Sequence, residues 1–202
     1  MGFSHLHVAS AYSTHYGVTL PDALAGQAAA DGATFLAVTD RDGLYGAVKH
    51  VRACVAAGIR PGLGADLAVH DDDTRDSLGR VVVLAHGGSG EGSAGRGYAA
   101  LCRAVSSAHE TTVRLSGHAP SIPRSRLAQL AGLNSLTVLL GPASDVGRAV
   151  QRRDNPSARA ALADWQRLMP ARSLALEVVC HLAEPGMPGS VAPATRMLAL
   201  AE

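Results

Sequence analysis

The chain has 202 residues, 47% of them hydrophobic and 17% charged, with a formal net charge of +1. Those figures fit a single domain with a packed core and exclude extensive disorder. The near-zero net charge gives this chain no general electrostatic reason to bind nucleic acid or a membrane surface by itself.

In chain order, residues 3–9 alternate and predict a strand. Pro21-Asp22-Ala23-Leu24 opens a helix that runs to about Asp31, with Thr19 as its N-cap and Gly32 as its stop. Residues 35–39 form a short buried strand ending at Thr39-Asp40-Arg41-Asp42-Gly43. A helix follows over about 44–57 and closes at Gly58, and residues 63–69 form a strand. Residues 71–79, which include three consecutive aspartates, are read as a solvated acidic loop. Residues 80–85 form the next strand, and the Gly/Ser-rich stretch 87–97 reads as a linker without a phosphate-cradle motif. Helices are predicted over 98–108 and 124–131, a strand over 135–140, helices over 145–151 and 157–168, and a strand over 174–179 ending at Cys180-His181. A last helix begins at Pro193.

Six strands alternating with helices point to a parallel α/β fold, either a barrel or a doubly wound sheet. In both, chemistry gathers at the carboxyl ends of strands. His7 and Ser10, Asp40 and Arg41, Asp66, His86 and His181 fall in or after separate strands. That recurrence predicts a site at one mouth of the fold. Cys54, Cys102 and Cys180 are widely spaced, with no CxxC pair, so neither a zinc finger nor a disulfide framework is indicated. There is no signal-peptide pattern and no apolar run near the ~20 residues a spanning helix needs. A reduced, cytoplasmic protein without a membrane partner is expected.

The segments FSHLHVASAYS, AVTDRDGLYGAVKH, AGIRPGLGADLAV and VVVLAH, with GYAALCRAVSSAH after it, resemble in order the N-terminal PHP (polymerase and histidinol phosphatase) domain of bacterial C-family DNA polymerase III alpha subunits. The GLYGAVK detail resembles the error-prone or accessory branch. Residues 136–141 and 174–181 resemble later strands of the same domain. The resemblance implies a distorted (β/α)7-like PHP barrel with a cluster of His, Asp, Glu and Cys at its mouth that can bind zinc or manganese. It also implies that the chain lacks the last strand of that barrel. Residues 1–202 would then be one PHP domain, an N-terminal fragment of a longer polymerase.

Position by position, the resemblance places His7 at the first metal-ligand histidine and Ala9 at the second, with His5 one alternation earlier. Tyr16 stands where an aspartate is expected, Arg41 at a histidine position and Pro142 at a cysteine position. Asp66 matches an acidic ligand, and Cys180-His181 replaces a terminal Asp-His pair. The possible or vestigial metal ligands are therefore His7, Asp66, His181 and Cys180. Arg41, Asp40, His5, Tyr16, Ala9 and Pro142 line or replace the site. A permanently charged guanidinium repels a metal cation, so Arg41 is expected to fill the site and pair with Asp66. Asp40 is expected to brace the turn after its strand.

Too few ligands remain for polynuclear metal catalysis, so the site is expected to hold no cofactor and no catalytic residue. One zinc or manganese through His7, His181 and Cys180 is the alternative. His15 and His70 are read as exposed turn residues, His50 as lying on a helix face, His109 at a helix end, His118 in a loop, Trp165 as helix packing and Cys180 as a buried strand residue. The implied function is that of a non-catalytic, structural domain of a DNA-directed DNA polymerase in replication or lesion-tolerant repair. Its partners would be the rest of the polymerase chain and other replication or repair subunits, with DNA bound only through the parent protein. The alternative is a free-standing metal-dependent PHP phosphoesterase or 3′–5′ exonuclease.

Overall fold

A computed structural model describes residues 3–87, 95–114, 119–132, 135–170, 172–185, 187 and 189–201. After an irregular N-terminal segment come α1 (Pro21–Ala30), β1 (Phe35–Arg41), α2 (Ala47–Ala56), β2 (Arg60–His70) and β3 (Ser77–Ala85). Then follow α3 (Arg96–Arg114), β4 (Ile122–Pro123), α4 (Arg124–Ala131), β5 (Leu136–Leu140), α5 (Asp145–Gln151), α6 (Asn155–Leu168), β6 (Leu174–Leu176) and α7 (Val191–Ala201). Gly32 and Gly58, both at positive φ, end α1 and α2 as expected. The N-cap of α1 is Leu20 rather than Thr19.

The sheet runs β1-β2-β3-β5-β6, with β4 also paired to β2. It is mixed rather than parallel: β3 is antiparallel to both β2 and β5, while β1/β2 and β5/β6 are parallel. The acidic stretch is the reason. It is a short hairpin loop, tied by Asp71 Oδ1 accepting from the Asp73 and Thr74 backbone N–H groups, so β2 turns straight back into β3.

Residues 3–9 do not form a regular strand. The Ala37 and Thr39 N–H groups of β1 donate to the His5 and Val8 carbonyls at 2.8 and 2.9 Å, so three residues on one side match two on the other. The extra residue is a bulge, which breaks the in-out alternation on which the strand reading rested. At the far end, β6 stops at Leu176, and Cys180-His181 lies in irregular, exposed chain. The two ends of the strand order nevertheless meet: His7, outside β1, and Glu177, just past β6, hydrogen-bond at 2.7 Å. The sheet is therefore curled on itself, as a distorted barrel requires.

Alternation along β2 sends one face against helices α3, α4 and α6 and leaves Asp66 on the other. Ala65, Leu67 and Val69 are buried and pack with Val81, Val83, Leu101, Leu127, Leu136, Val138, Leu140 and Trp165. With few aromatics, most of this core is aliphatic. Trp165 is the largest fully buried side chain, and its indole N–H donates to Asp145 at 3.0 Å. A second cluster joins α1 and α2 to β1 through Ala25, Ala28, Leu36 and Cys54.

Candidate functional site at the barrel mouth

The mouth is built where β1, β2 and β3 end or begin side by side. Asp66 and Arg80 lie on one face of the β2/β3 ladder, which pairs Asp66 with Val82 and Ala68 with Arg80. That makes them diagonal neighbours, within reach of a long side chain. Arg80 Nε donates to Asp66 Oδ1 at 3.0 Å, and its Nη2 donates to Asp42 Oδ1 at 2.8 Å and to the Asp66 carbonyl at 2.7 Å. The Arg80 side chain is 15% exposed and each carboxylate 21%, so one guanidinium joins two poorly hydrated anions.

Asp42 takes a left-handed backbone conformation (φ 54°), which costs about 1 kcal/mol or more for a residue with a Cβ. Its N–H donates to the Asp66 carbonyl at 3.0 Å, and its own carbonyl accepts from His109 Nε2 at 2.6 Å. Those bonds, with the ion pair to Arg80, hold the turn. His109 is thus interior to a helix that continues to Arg114, not at a helix end, and it serves the mouth.

Arg41 does not pair with Asp66. Its guanidinium stacks on the Tyr16 ring, 4.0 Å from the centroid, and its Nε is 3.8 Å from Asp42, too far for a hydrogen bond. Arg80 already occupies Asp66 from the adjacent strand, so the expected partner is displaced. Asp40, 2% exposed, accepts from the Ser10 N–H, the Ser10 hydroxyl and the Ser13 hydroxyl at 2.8–2.9 Å. It anchors the loop after the N-terminal segment, and the Ser13 hydroxyl in turn accepts from the Arg41 N–H. Ala9 is apolar and partly buried beside that loop.

His7 donates from Nδ1 to Glu177. The hydrogen bond to the Glu177 carboxylate raises the His7 pKa above its ordinary 6.5, against burial, with the charges of Glu177 and Asp66 adding to the rise. Glu177 is seated over Gly141, where a Cβ would lie 2.1 Å from its Oε2. His5 lies outside this group, with its ring edge-on to Phe3. His181 and Cys180 are both exposed; the His181 N–H donates to the Gly189 carbonyl at 2.8 Å. Cys180 is therefore not a buried strand residue. Its strand ends four residues earlier, at Leu176, and leaves it in solvent. His70 is buried, paired with Ser121, rather than exposed, because β2 extends through it. His50 is fully buried and donates to the Leu36 carbonyl at 3.0 Å; burial lowers its pKa. His86 bonds Thr137 across the strand ends. His118 lies outside the described residues.

The structure thus brings His7 and Asp66 into one neighbourhood and leaves Cys180 and His181 in exposed, irregular chain. It adds Glu177, Arg80, Asp42 and His109, which sequence reasoning did not single out. Glu177 lies in the same run as Cys180-His181, and a hairpin reading of residues 71–76 would have set Arg80 diagonally from Asp66. Among the described residues, no group of three His, Cys, Asp or Glu side chains is placed to hold a metal ion. Asp66 is committed to Arg80, and His7, whose Nδ1 is held by Glu177, keeps Nε2 alone as a metal donor, too few ligands for a bound ion. The residues present do not fit the polynuclear metal centre implied by the resemblance.

Comparison with known proteins agrees with this frame. The protein-family model for the PHP domain matches residues 5–181. The chain is 34% identical over 172 residues to DNA polymerase III subunit alpha of Escherichia coli K12, covering 84% of this chain and 14% of that one. It is 33% identical over 190 residues to the error-prone DNA polymerase of Mycobacterium tuberculosis H37Rv, covering 90% and 16%. The replicative and error-prone relatives thus match almost equally, and the chain spans about one-seventh of their length. A crystal structure described as that of a metal-dependent phosphoesterase from Bifidobacterium adolescentis shares the fold, with a TM-score of 0.52 at 18% identity, over 98% of this chain and 82% of that one. The chain belongs to the PHP domain family.

Proposed function

We propose that this chain is the PHP domain of a C-family DNA polymerase alpha chain, in which it acts as a non-catalytic structural unit. Residues 1–202 would form one domain of a longer polypeptide whose later parts carry polymerisation in replication or repair. The rest of that chain, and other subunits of its assembly, would be the domain's partners in the cytoplasm. DNA would be held through the polymerase rather than by this domain. Among the described residues no helix is long and apolar enough to cross a membrane. The identity to two polymerases over most of the chain supports the assignment.

One observation carries the non-catalytic reading. Where the resemblance expects metal, a protein cation already binds the carboxylates: Arg80 bridges Asp66 and Asp42. Arg41 adds a second fixed positive charge beside them. A divalent ion would have to displace a charge-assisted, poorly hydrated network before gaining any ligand. The His7–Glu177 bond is then a latch joining the two ends of the curled sheet. The test is a phosphomonoesterase and 3′-exonuclease assay of the chain with added manganese or zinc. No metal-stimulated turnover is the expected result. Turnover abolished by His7→Ala would establish the free-standing phosphoesterase instead.

A further inference from the structure

We propose that the cavity between α5 and α7 binds a short aliphatic dicarboxylate, one carboxylate held by Arg153 and Arg196 and the other by Ser190. The inference goes beyond the structural role above and does not rest on it.

A cavity of about 310 Å³ is lined by α5, α7 and the chain that leads from Val179 to Ser190. That volume is at the lower end for small-molecule sites. Its lining includes none of His7, Arg41, Asp42, Asp66 or Arg80, so it is not the mouth. Among the described residues no aspartate or glutamate lines it.

Polar groups stand at its two ends. At the end of α5 the Val150 carbonyl accepts from the Arg153 N–H at 3.1 Å and from Arg196 Nε at 3.3 Å. Both arginines therefore belong to that end. Arg196 keeps both Nη groups unused, and Arg153 makes no side-chain hydrogen bond or ion pair among the described residues. Arg153 also holds a left-handed backbone (φ 61°), where a helix end more often takes glycine. Strain of that kind gathers at ligand sites.

The other end is the start of α7. The Gly189 carbonyl accepts from the His181 N–H at 2.8 Å, which ties Ser190 to the segment that follows Val179. Ser190 is 2% exposed, and its Oγ has no hydrogen-bond partner. A buried hydroxyl without a partner has lost its water and gained nothing, so an acceptor brought by a ligand is favoured there. Helix α7 begins at the next residue and adds the positive end of its dipole.

Between the ends the wall is apolar: Val150, Pro193, Ala194 and Met197. The helical rise from Ser190 to Arg196 is about 9 Å. Hydrogen bonds of about 3 Å at the ends leave room for a chain of about five carbons. A monocarboxylate would leave one end unpaired, and a compact inorganic anion would not reach both. Two guanidiniums and a helix N-terminus, with no acidic residue in the lining, suit a divalent anion.

The test is an NMR titration of the full chain, labelled with 13C at its methionine methyls, with glutarate, valerate and malonate. Met187 and Met197 line the cavity, whereas Met169 is buried in the main core. Glutarate should shift the Met187 and Met197 signals saturably and leave Met169 in place. Valerate, which lacks one carboxylate, and malonate, which is too short, should each bind about 10-fold or more weakly. Glutarate affinity should fall about 10-fold in Arg153→Gln and about 5-fold in Ser190→Ala. Neither variant removes a hydrogen bond from the fold, so both remain informative. The absence of saturable shifts, an equal movement of Met169, or undiminished binding in either variant overturns the site. Valerate or malonate binding as tight as glutarate overturns its two-ended character and the ligand class with it.

Discussion

Replacing Arg80 by methionine keeps the side-chain stem and removes the charge. Asp66 and Asp42 then lose the donors at 3.0 and 2.8 Å and remain about four-fifths buried. Breaking a fully buried ion pair costs about 3–5 kcal/mol. Partial exposure of all three groups lowers the expected loss to about 2–3 kcal/mol. For a chain of this size that is a fall in Tm of about 4–12 °C. Arg41→Met is the control, because it removes a stacking contact with the exposed Tyr16 and a long, partly solvated ion pair to Asp42 with no hydrogen bond, together worth about 1 kcal/mol. Urea unfolding followed by the emission of Trp165, the only tryptophan and fully buried, reads both variants. The Arg80→Met/Asp66→Asn double variant should show a coupling of about 1–3 kcal/mol. An Arg80→Met loss under about 1 kcal/mol, or an Arg41→Met loss as large, would refute the assignment of Arg80 as the cation of the mouth.

Two further outcomes follow from the same geometry. Glu177→Gln should lower the His7 pKa toward about 6.5, read by NMR titration of the imidazole. Since the folded pKa is the raised one, the pair's contribution is complete below about 6.5 and lost as pH rises through the folded value. With His7 40% exposed the contribution is under about 1 kcal/mol, so the stability gap between wild type and Glu177→Gln should narrow from acid to alkaline pH; a widening gap contradicts the latch. Asp40→Asn turns an NH2 group toward donors that the carboxylate accepts, and should cost about 2–4 kcal/mol in urea unfolding; a cost below about 1 kcal/mol would mean that the Ser10–Ser13 loop is held by other contacts.

How far the sequence led is clearest at particular residues. Helices α1, α4 and α6 were legible because proline or glycine stands at their ends and good helix formers fill them. The antiparallel β3 was not, because three aspartates look like any solvated loop until Asp71 is seen tying a turn. The bulge at residues 5–8 leaves no residue-type signature, so HLH reads as a strand with both histidines on one face. His7, Asp66 and Arg41 stand out by motif, yet their partners Glu177, Arg80 and Tyr16 are contacts across the curled sheet or between loop and strand. Apart from Arg80, which a hairpin over residues 71–76 would set diagonally from Asp66, spacing along the chain carries no trace of such pairings. Asp40 was expected to brace the turn after its own strand, but the bonds it accepts come from Ser10 and Ser13, in the loop before α1.

The central claim is that protein side chains, not a metal, satisfy the mouth around His7, Asp66 and Arg80. It is tested most directly by metal analysis of the full chain, purified without chelator and equilibrated with manganese and zinc before desalting. Far less than one bound ion per chain is predicted for the wild type, with retention rising in Arg80→Met as Asp66 and Asp42 are released. About one or more ions per chain in the wild type, lost in His7→Ala, would contradict it.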